Sequence, residues 1–275
     1  MTQPTDLMSI ALNQTIPLFI FNFERYGIAA TAITLIVWLL KRTSWKSRQI
    51  QGRSPGFKDF GREFIASIGA IFIFIVLNIL MNWGFVNGFL TEYKSASNIW
   101  IILAYGVAMT LGHDSYFYWT HRAMHTRLLF KAFHRYHHRS ITPSPWTAYS
   151  LSIPEAAVSF LYIPLWLYFI PTPQWAVFGF VIFQIMRNTM QHAGLEIHPR
   201  GWASHPILKW ISTTTHHDMH HSGNFKANYG FYLTFWDKIM GTEHPDYVAT
   251  FDRVTGNKPR QEHARNAVDA IRKAH

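Results

Sequence analysis

Apolar residues run through the first two thirds of the chain in long blocks. Five such runs occupy residues 16–40, 64–81, 99–112, 153–170 and 174–187. The first is interrupted by Asn22, Glu24 and Arg25 and then continues as YGIAATAITLIVWLL. The second, FIASIGAIFIFIVLNILM, approaches the roughly 20 residues that cross a bilayer as a helix. The third runs on into HDSYFYWTH without a break, so one helix is expected to carry both. The fourth and fifth are joined by PTP at 171–173, a turn signal that predicts a hairpin entering the membrane. Residues 188–275 are more polar and read as a cap. Within them EHARNAVDAIRKA places Ala264, Ala267, Val268 and Ile271 at helical spacing, which predicts a terminal amphipathic helix.

Composition turns this pattern into a fold class. The chain is 49% hydrophobic and only 15% charged, against about 25% charged in an average soluble domain. Four or five such runs at this charge density are hard to keep in water, which disfavours a soluble helical bundle. The expectation is an all-α integral membrane protein with about four or five membrane-embedded helices and a cytoplasmic helical cap. Residues 1–100 would form the N-terminal transmembrane helices, 101–245 a catalytic region and 246–275 a cytoplasmic tail. Loop charge sets the orientation: 41–62 holds Lys41, Arg42, Lys46, Arg48, Arg53, Lys58 and Arg62, whereas 82–98 holds only Lys94. By the positive-inside rule 41–62 is cytoplasmic, and counting spans forward puts 113–150 and 188–275 on that same side. The net charge of +10 then suits anionic lipid; no nucleic-acid-binding signature accompanies it. The N-terminus lacks the basic start of a signal peptide.

Histidine adds the chemistry. Sixteen histidines and no cysteine exclude disulfides and thiolate metal sites. HRAMH at 121–125, HRYHH at 134–138 and HDMHH at 217–221 repeat histidine at helical spacing, which puts each set on one helix face. His121, His125, His134, His137, His138, His217, His220 and His221 are too many for one catalytic zinc, which takes about three protein ligands, and about right for two ions. His192 is a ninth candidate. Asn188, one turn earlier, is placed to bind directly or through water. His113 reads as core or as a partner of a ligand, His216 points off the ligand face, and His198, His205, His244, His263 and His275 read as incidental. Asp114, Glu155, Asp218 and Asp237 are candidates to orient ligating imidazoles through the second ring nitrogen. The aromatics Tyr116, Phe117, Tyr118, Trp119 and Trp146 fit an interfacial belt, or the lining of a lipid entry.

HDSYFYWTHRAMH, FHRYHHRS, QHAG, HHDMHH and the closing NYGFYLTFWDKIMGT resemble the fatty acid hydroxylase superfamily, also called the sterol desaturase family, over roughly residues 105–245. The QHAG and HHDMHH steps are most similar to the sterol C4-methyl oxidase branch. The resemblance implies a non-haem di-iron centre with two Fe ions, O2 as co-substrate, and ligation by His121, His125, His134, His137, His138, His192, His217, His220 and His221. Asn188 with His192 stands where some relatives have a histidine pair. It implies oxidation of a lipid C–H bond, as hydroxylation or as desaturation. A separate electron donor (a ferredoxin, a cytochrome-type carrier or a reductase) is expected, since the chain has neither cysteine nor a dinucleotide fingerprint. A zinc-dependent membrane hydrolase and a metal transporter are the competing readings. A transporter would hold its ligands near the bilayer midplane rather than at one face.

Overall fold

The structure, a computed structural model, describes residues 6–91, 98–223 and 225–256. The amphipathic helix expected around 262–274 lies outside the described residues. The protein is all-α. Helix α1 (Leu7–Leu40) begins nine residues before the apolar run, because Asp6 caps it by accepting the Ser9 amide at 2.9 Å. Helix α2 (Phe57–Val86) is held at its start by Asp59, which accepts from the Gly56 amide at 3.0 Å and from Arg62 at 2.7 Å. Helix α3 (Ile99–Met124) carries the third apolar run and HDSYFYWTH on one continuous element, as expected, with His125 as its C-cap. A one-turn helix α4 (Phe130–Phe133) follows. The hairpin expected around residues 171–173 is α5 (Ile153–Phe169) and α6 (Gln174–Gln191). Three short helices complete the described chain: α7 (Thr214–Ser222), α8 (Phe235–Met240) and α9 (Tyr247–Thr255). Among the described residues β-structure is limited to two isolated bridges, Gln49 with Leu195 and Ile211 with Leu233.

Helices α1, α2, α3, α5 and α6 form one bundle, in which α1 packs on α2 and α6, α2 on α5, and α3 on α6 and α5. Small side chains set the spacing. Ala29, Ala30 and Ala70 are buried where α1 meets α2, which lets the backbones approach. At Gly112 of α3 an added Cβ would lie 2.7 Å from both Trp166 Cζ3 and Tyr162 Oη. Tyr26 of α1 stacks on Tyr149 with ring centroids 4.8 Å apart, and its hydroxyl donates to Trp146 O at 2.7 Å. The bundle's outer faces stay apolar: Ile28, Ile65, Phe72 and Val107 are each more than 60% exposed. Among the described residues two helices, α1 and α2, are long and apolar enough to cross a membrane by length and composition.

Residues 192–223 and 225–256 fold over the end of the bundle that carries His121 and His192. Arg48 donates to His198 O at 2.8 Å and Gln51 to Asp218 at 3.0 Å, so the basic 41–62 segment packs against this cap. Buried Glu196 accepts the Thr215 amide at 2.7 Å and holds the first turn of α7.

Candidate metal centre

Nine histidines converge beneath the bundle in two groups, with the candidate ligand atoms of each group within 4.8 Å of one another. His121, His125, His134, His138 and His220 form one group; His137, His192, His217 and His221 form the other. These are the nine histidines that the sequence pattern singled out. The structure divides them differently from a face-by-face reading. His134 closes α4, and His137–Arg139 form a 3-10 turn, so this set is not on one α-helical face. His137 therefore joins the second group while His134 and His138 join the first. On α7, His217 and His221, four apart, share the second group, and His220 turns to the first.

Backbone carbonyls aim most of the rings. The Nδ1 atoms of His121, His137, His192, His220 and His221 donate to the carbonyl oxygens of Tyr229 (2.9 Å), Ser150 (3.3 Å), Asn188 (2.8 Å), Ala227 (2.7 Å) and Ser140 (3.0 Å). A carbonyl cannot donate, so each of these five rings carries its proton on Nδ1 and presents a bare Nε2. His134 Nδ1 instead lies 2.6 Å from Glu155 Oε1. The bare atoms crowd together. His137 and His192 bring two unprotonated Nε2 atoms to 3.4 Å, and His121 Nε2 lies 2.9 Å from His134 Nε2. The Nε2 atoms of His220 and His221 are buried with no hydrogen-bond partner. Facing lone pairs repel unless a cation lies between them. Two nitrogens about 2.1 Å from one ion are about 3.0 Å apart at a right angle and about 3.4 Å at a tetrahedral one. The neighbouring pairs here span 2.9 to 3.4 Å. Each group therefore fits one ion.

Electrostatics agree with that fit. Burial lowers the His137 pKa to about 4 and the His192 and His220 values to about 3, with neighbouring imidazoles pushing the latter two the same way. His138, His217 and His221 are held well below 6.5 by burial and then by the surrounding rings. The rings are neutral, the form that binds metal.

Of the four acids expected to orient imidazoles, Glu155 alone reaches a ligand candidate. Asp114 accepts the amides of Tyr232 and Leu233, at 2.8 and 3.0 Å. Asp237 accepts those of Tyr229 and Gly230 and the Thr242 hydroxyl, and lies 3.5 Å from His216. Asp218 pairs with Gln51. The closing motif is thereby explained. Asn228, at φ +60°, donates to His216 O at 2.9 Å and accepts the His244 amide at 2.7 Å. Gly230 has no room for a Cβ, which would fall 2.4 Å from Leu233 O. This turn delivers the Ala227 and Tyr229 carbonyls to His220 and His121. Glu63, which the pattern did not flag, accepts from the Ser140 and Ser144 hydroxyls at 2.6 Å each and so fixes the carbonyl that holds His221. His113 lies outside both groups, packed among Tyr162, Phe180 and Tyr232. The Asn188 amide donates to Ala148 O at 3.1 Å while its backbone oxygen orients His192.

A cavity of about 330 Å³ reaches the centre from within the bundle. His121, His134, His137, His192 and His217, drawn from both groups, line it together with mostly aromatic and aliphatic side chains.

Fold and site together define a helical bundle with a polyhistidine centre able to hold two metal ions, facing an apolar cavity. Residues 106–242 match the family model described as fatty acid hydroxylase, and the chain belongs to that family over this segment. It is 29% identical over 199 residues to the Delta(7)-sterol 5(6)-desaturase erg3C of Aspergillus fumigatus, covering 66% of this chain and 62% of that relative. It is 32% identical over 133 residues to the very-long-chain aldehyde decarbonylase CER1 of Arabidopsis thaliana and to GL1-4 of Oryza sativa subsp. japonica, covering 46% of this chain and 21% of each relative. The chain thus spans about six-tenths of the first relative's length and about a fifth of the other two. No solved structure matches it.

Proposed function

We propose that this protein is a membrane-bound non-haem di-iron oxidoreductase that uses O2 and external electrons to hydroxylate a C–H bond of a lipid. The observation that carries the reading is the crowding of imidazole Nε2 atoms at 2.9–3.4 Å in two adjoining groups, with both atoms bare where His137 faces His192. In this reading His121, His125, His134, His138 and His220 hold one iron, and His137, His192, His217 and His221 the other. Bound iron would supply the reductive activation of O2 and the oxidant that an unactivated C–H bond requires. The chain's own part is to hold and shield. Five carbonyls fix the ring tautomers, and Glu155 places negative charge on His134. The apolar cavity walls exclude water and accept a hydrocarbon.

Helices α1, α2, α3, α5 and α6 are the proposed embedded elements, a reading supported by their exposed apolar faces. The contacts of the basic 41–62 segment with the cap support a cytoplasmic centre. Residues 1–100 would then serve as membrane helices, 101–245 as the catalytic region and 246–275 as the tail. Electrons would come from a separate carrier. No acid occurs between Asp114 and Glu155, while Arg127, Lys131, Arg135 and Arg139 are exposed beside the first group, a charge pattern suited to an acidic protein.

Desaturation by the same centre is the second reading, favoured by the similarity to a sterol desaturase. Nine nitrogens in two groups disfavour the zinc hydrolase. The test is metal analysis of the purified full chain, followed by O2 uptake with a chemical reductant. Two irons per chain with reductant-dependent uptake are expected; a single zinc with no uptake sinks the proposal. His137→Ala should abolish uptake while leaving membrane insertion intact.

A further inference from the structure

One feature of the cavity plays no part in holding metal. Arg25, in the apolar helix α1, lines the cavity and is the one side chain of permanent positive charge among its lining residues. Its Nη2 donates to Asn22 Oδ1 at 3.0 Å and to the Tyr149 hydroxyl at 2.8 Å. Both partners are neutral, and among the described residues no carboxylate pairs with the guanidinium. Its Nε is buried without any partner. The cation is nevertheless held firmly. Tyr149 is buried, stacked on Tyr26 and packed edge-on against Phe74 at 5.1 Å, and Phe21 lies beneath the guanidinium with its centroid 5.3 Å from Cζ.

A cation in an apolar helix, facing the bundle interior and lacking a counter-ion, is costly to keep. Neutral acceptors orient it but do not offset its charge; an anion entering the cavity does both. The placement suits a bound lipid. The α6 residues lining the cavity run from Gln174 to Asn188, about 21 Å at 1.5 Å per residue. Arg25 is joined through Tyr149 to the strand of chain whose next carbonyl, Ser150 O, holds His137.

We propose that Arg25, positioned by Asn22 and Tyr149, is the recognition point for the carboxylate of an amphipathic lipid whose hydrocarbon lies against the histidine centre. This deepens the reading of the cavity as the substrate site and rests on it. Arg25 is a specificity residue that contacts the head group and stands apart from both metal groups.

The test measures binding of radiolabelled palmitate and of hexadecanol, the uncharged probe of equal chain length, to purified full-length protein in detergent. The wild type should prefer palmitate by tenfold or more. Arg25→Gln should weaken palmitate binding by about tenfold to a hundredfold, the range for a hydrogen bond to a charged group. It should leave hexadecanol binding unchanged, which also reports that the cavity is intact. Arg25→Lys should keep the preference for palmitate in reduced form. Equal binding of the two probes by the wild type, or equal weakening of both by Arg25→Gln, overturns the proposal. Metal content is counted in the same samples. Loss of the two-iron stoichiometry in wild type would sink the di-iron reading while leaving a palmitate preference standing.

Discussion

Replacing Glu155 by glutamine tests whether the two histidine groups are separate metal sites with separately built surroundings. Glu155 is buried in the first turn of α5, and its Oε1 lies 2.6 Å from His134 Nδ1. Glutamine keeps the size and an acceptor oxygen but removes the negative charge that the carboxylate would carry beside a bound cation, the charge that raises the basicity of the imidazole. A hydrogen bond to a charged group contributes about 1.5–3 kcal/mol, and a neutral one about 0.5–1.5 kcal/mol. The difference, about 1–1.5 kcal/mol, corresponds to about a tenfold loss of metal affinity. Glu155→Ala leaves the His134 Nδ1–H without an acceptor and should cost closer to a hundredfold, the upper end for outer partners of metal-bound histidine. Both losses should fall on the five-histidine group alone. The partners of His137, His192 and His221 are the carbonyls of Ser150, Asn188 and Ser140, which do not touch Glu155. Metal retention against a graded chelator, counted per chain, is the assay. If both variants hold two ions as tightly as wild type, or lose both ions in parallel, the division into two independently oriented sites is wrong.

Three further outcomes follow from the same geometry. His221→Ala should remove metal from the four-histidine group first, giving about one ion per chain, with helicity by circular dichroism unchanged. Gly112→Ala should lower stability by about 1–3 kcal/mol through overpacking. The two groups it would strike are pinned, Tyr162 by its bond to Met109 O at 2.6 Å and Trp166 by its bond to Thr172 at 2.9 Å; a lower melting temperature in detergent with normal metal content is the expected reading. Asn228→Ala loses two side-chain hydrogen bonds and puts alanine at positive φ, a loss of about 2–4 kcal/mol. Because that turn aims His121 and His220, limited proteolysis of the cap should accelerate and metal at the five-histidine group should weaken together.

Much of this protein is legible along the chain. Long apolar runs on either side of the basic 41–62 loop mark helices α1 and α2, and the unbroken passage into HDSYFYWTH marks α3, because helix periodicity and bilayer length are local properties. Eight of the nine histidines were legible for the same reason, since imidazoles three and four apart stand out along the chain, and His192 was marked by its place just after the α5–α6 hairpin. Asp6 extended α1 by nine residues beyond its apolar run, a capping effect visible only as a single polar residue. What the sequence could not decide is which ring joins which histidine group. That depends on the chain leaving α-helix for a 3-10 turn at His137 and on the rotation of α7, both set by packing. Nor could spacing rank the acids. Asp114, Asp218 and Asp237 stand as near to histidines in sequence as Glu155 or nearer, yet they bind backbone amides or a glutamine, while Glu155 reaches His134 from 21 positions away. Glu63 meets its serines across 77 and 81 residues, and Arg25 meets Tyr149 across 124. Local pattern determines which residues are available for chemistry; the folding of distant segments into one low-dielectric interior decides which buried polar atom each must satisfy.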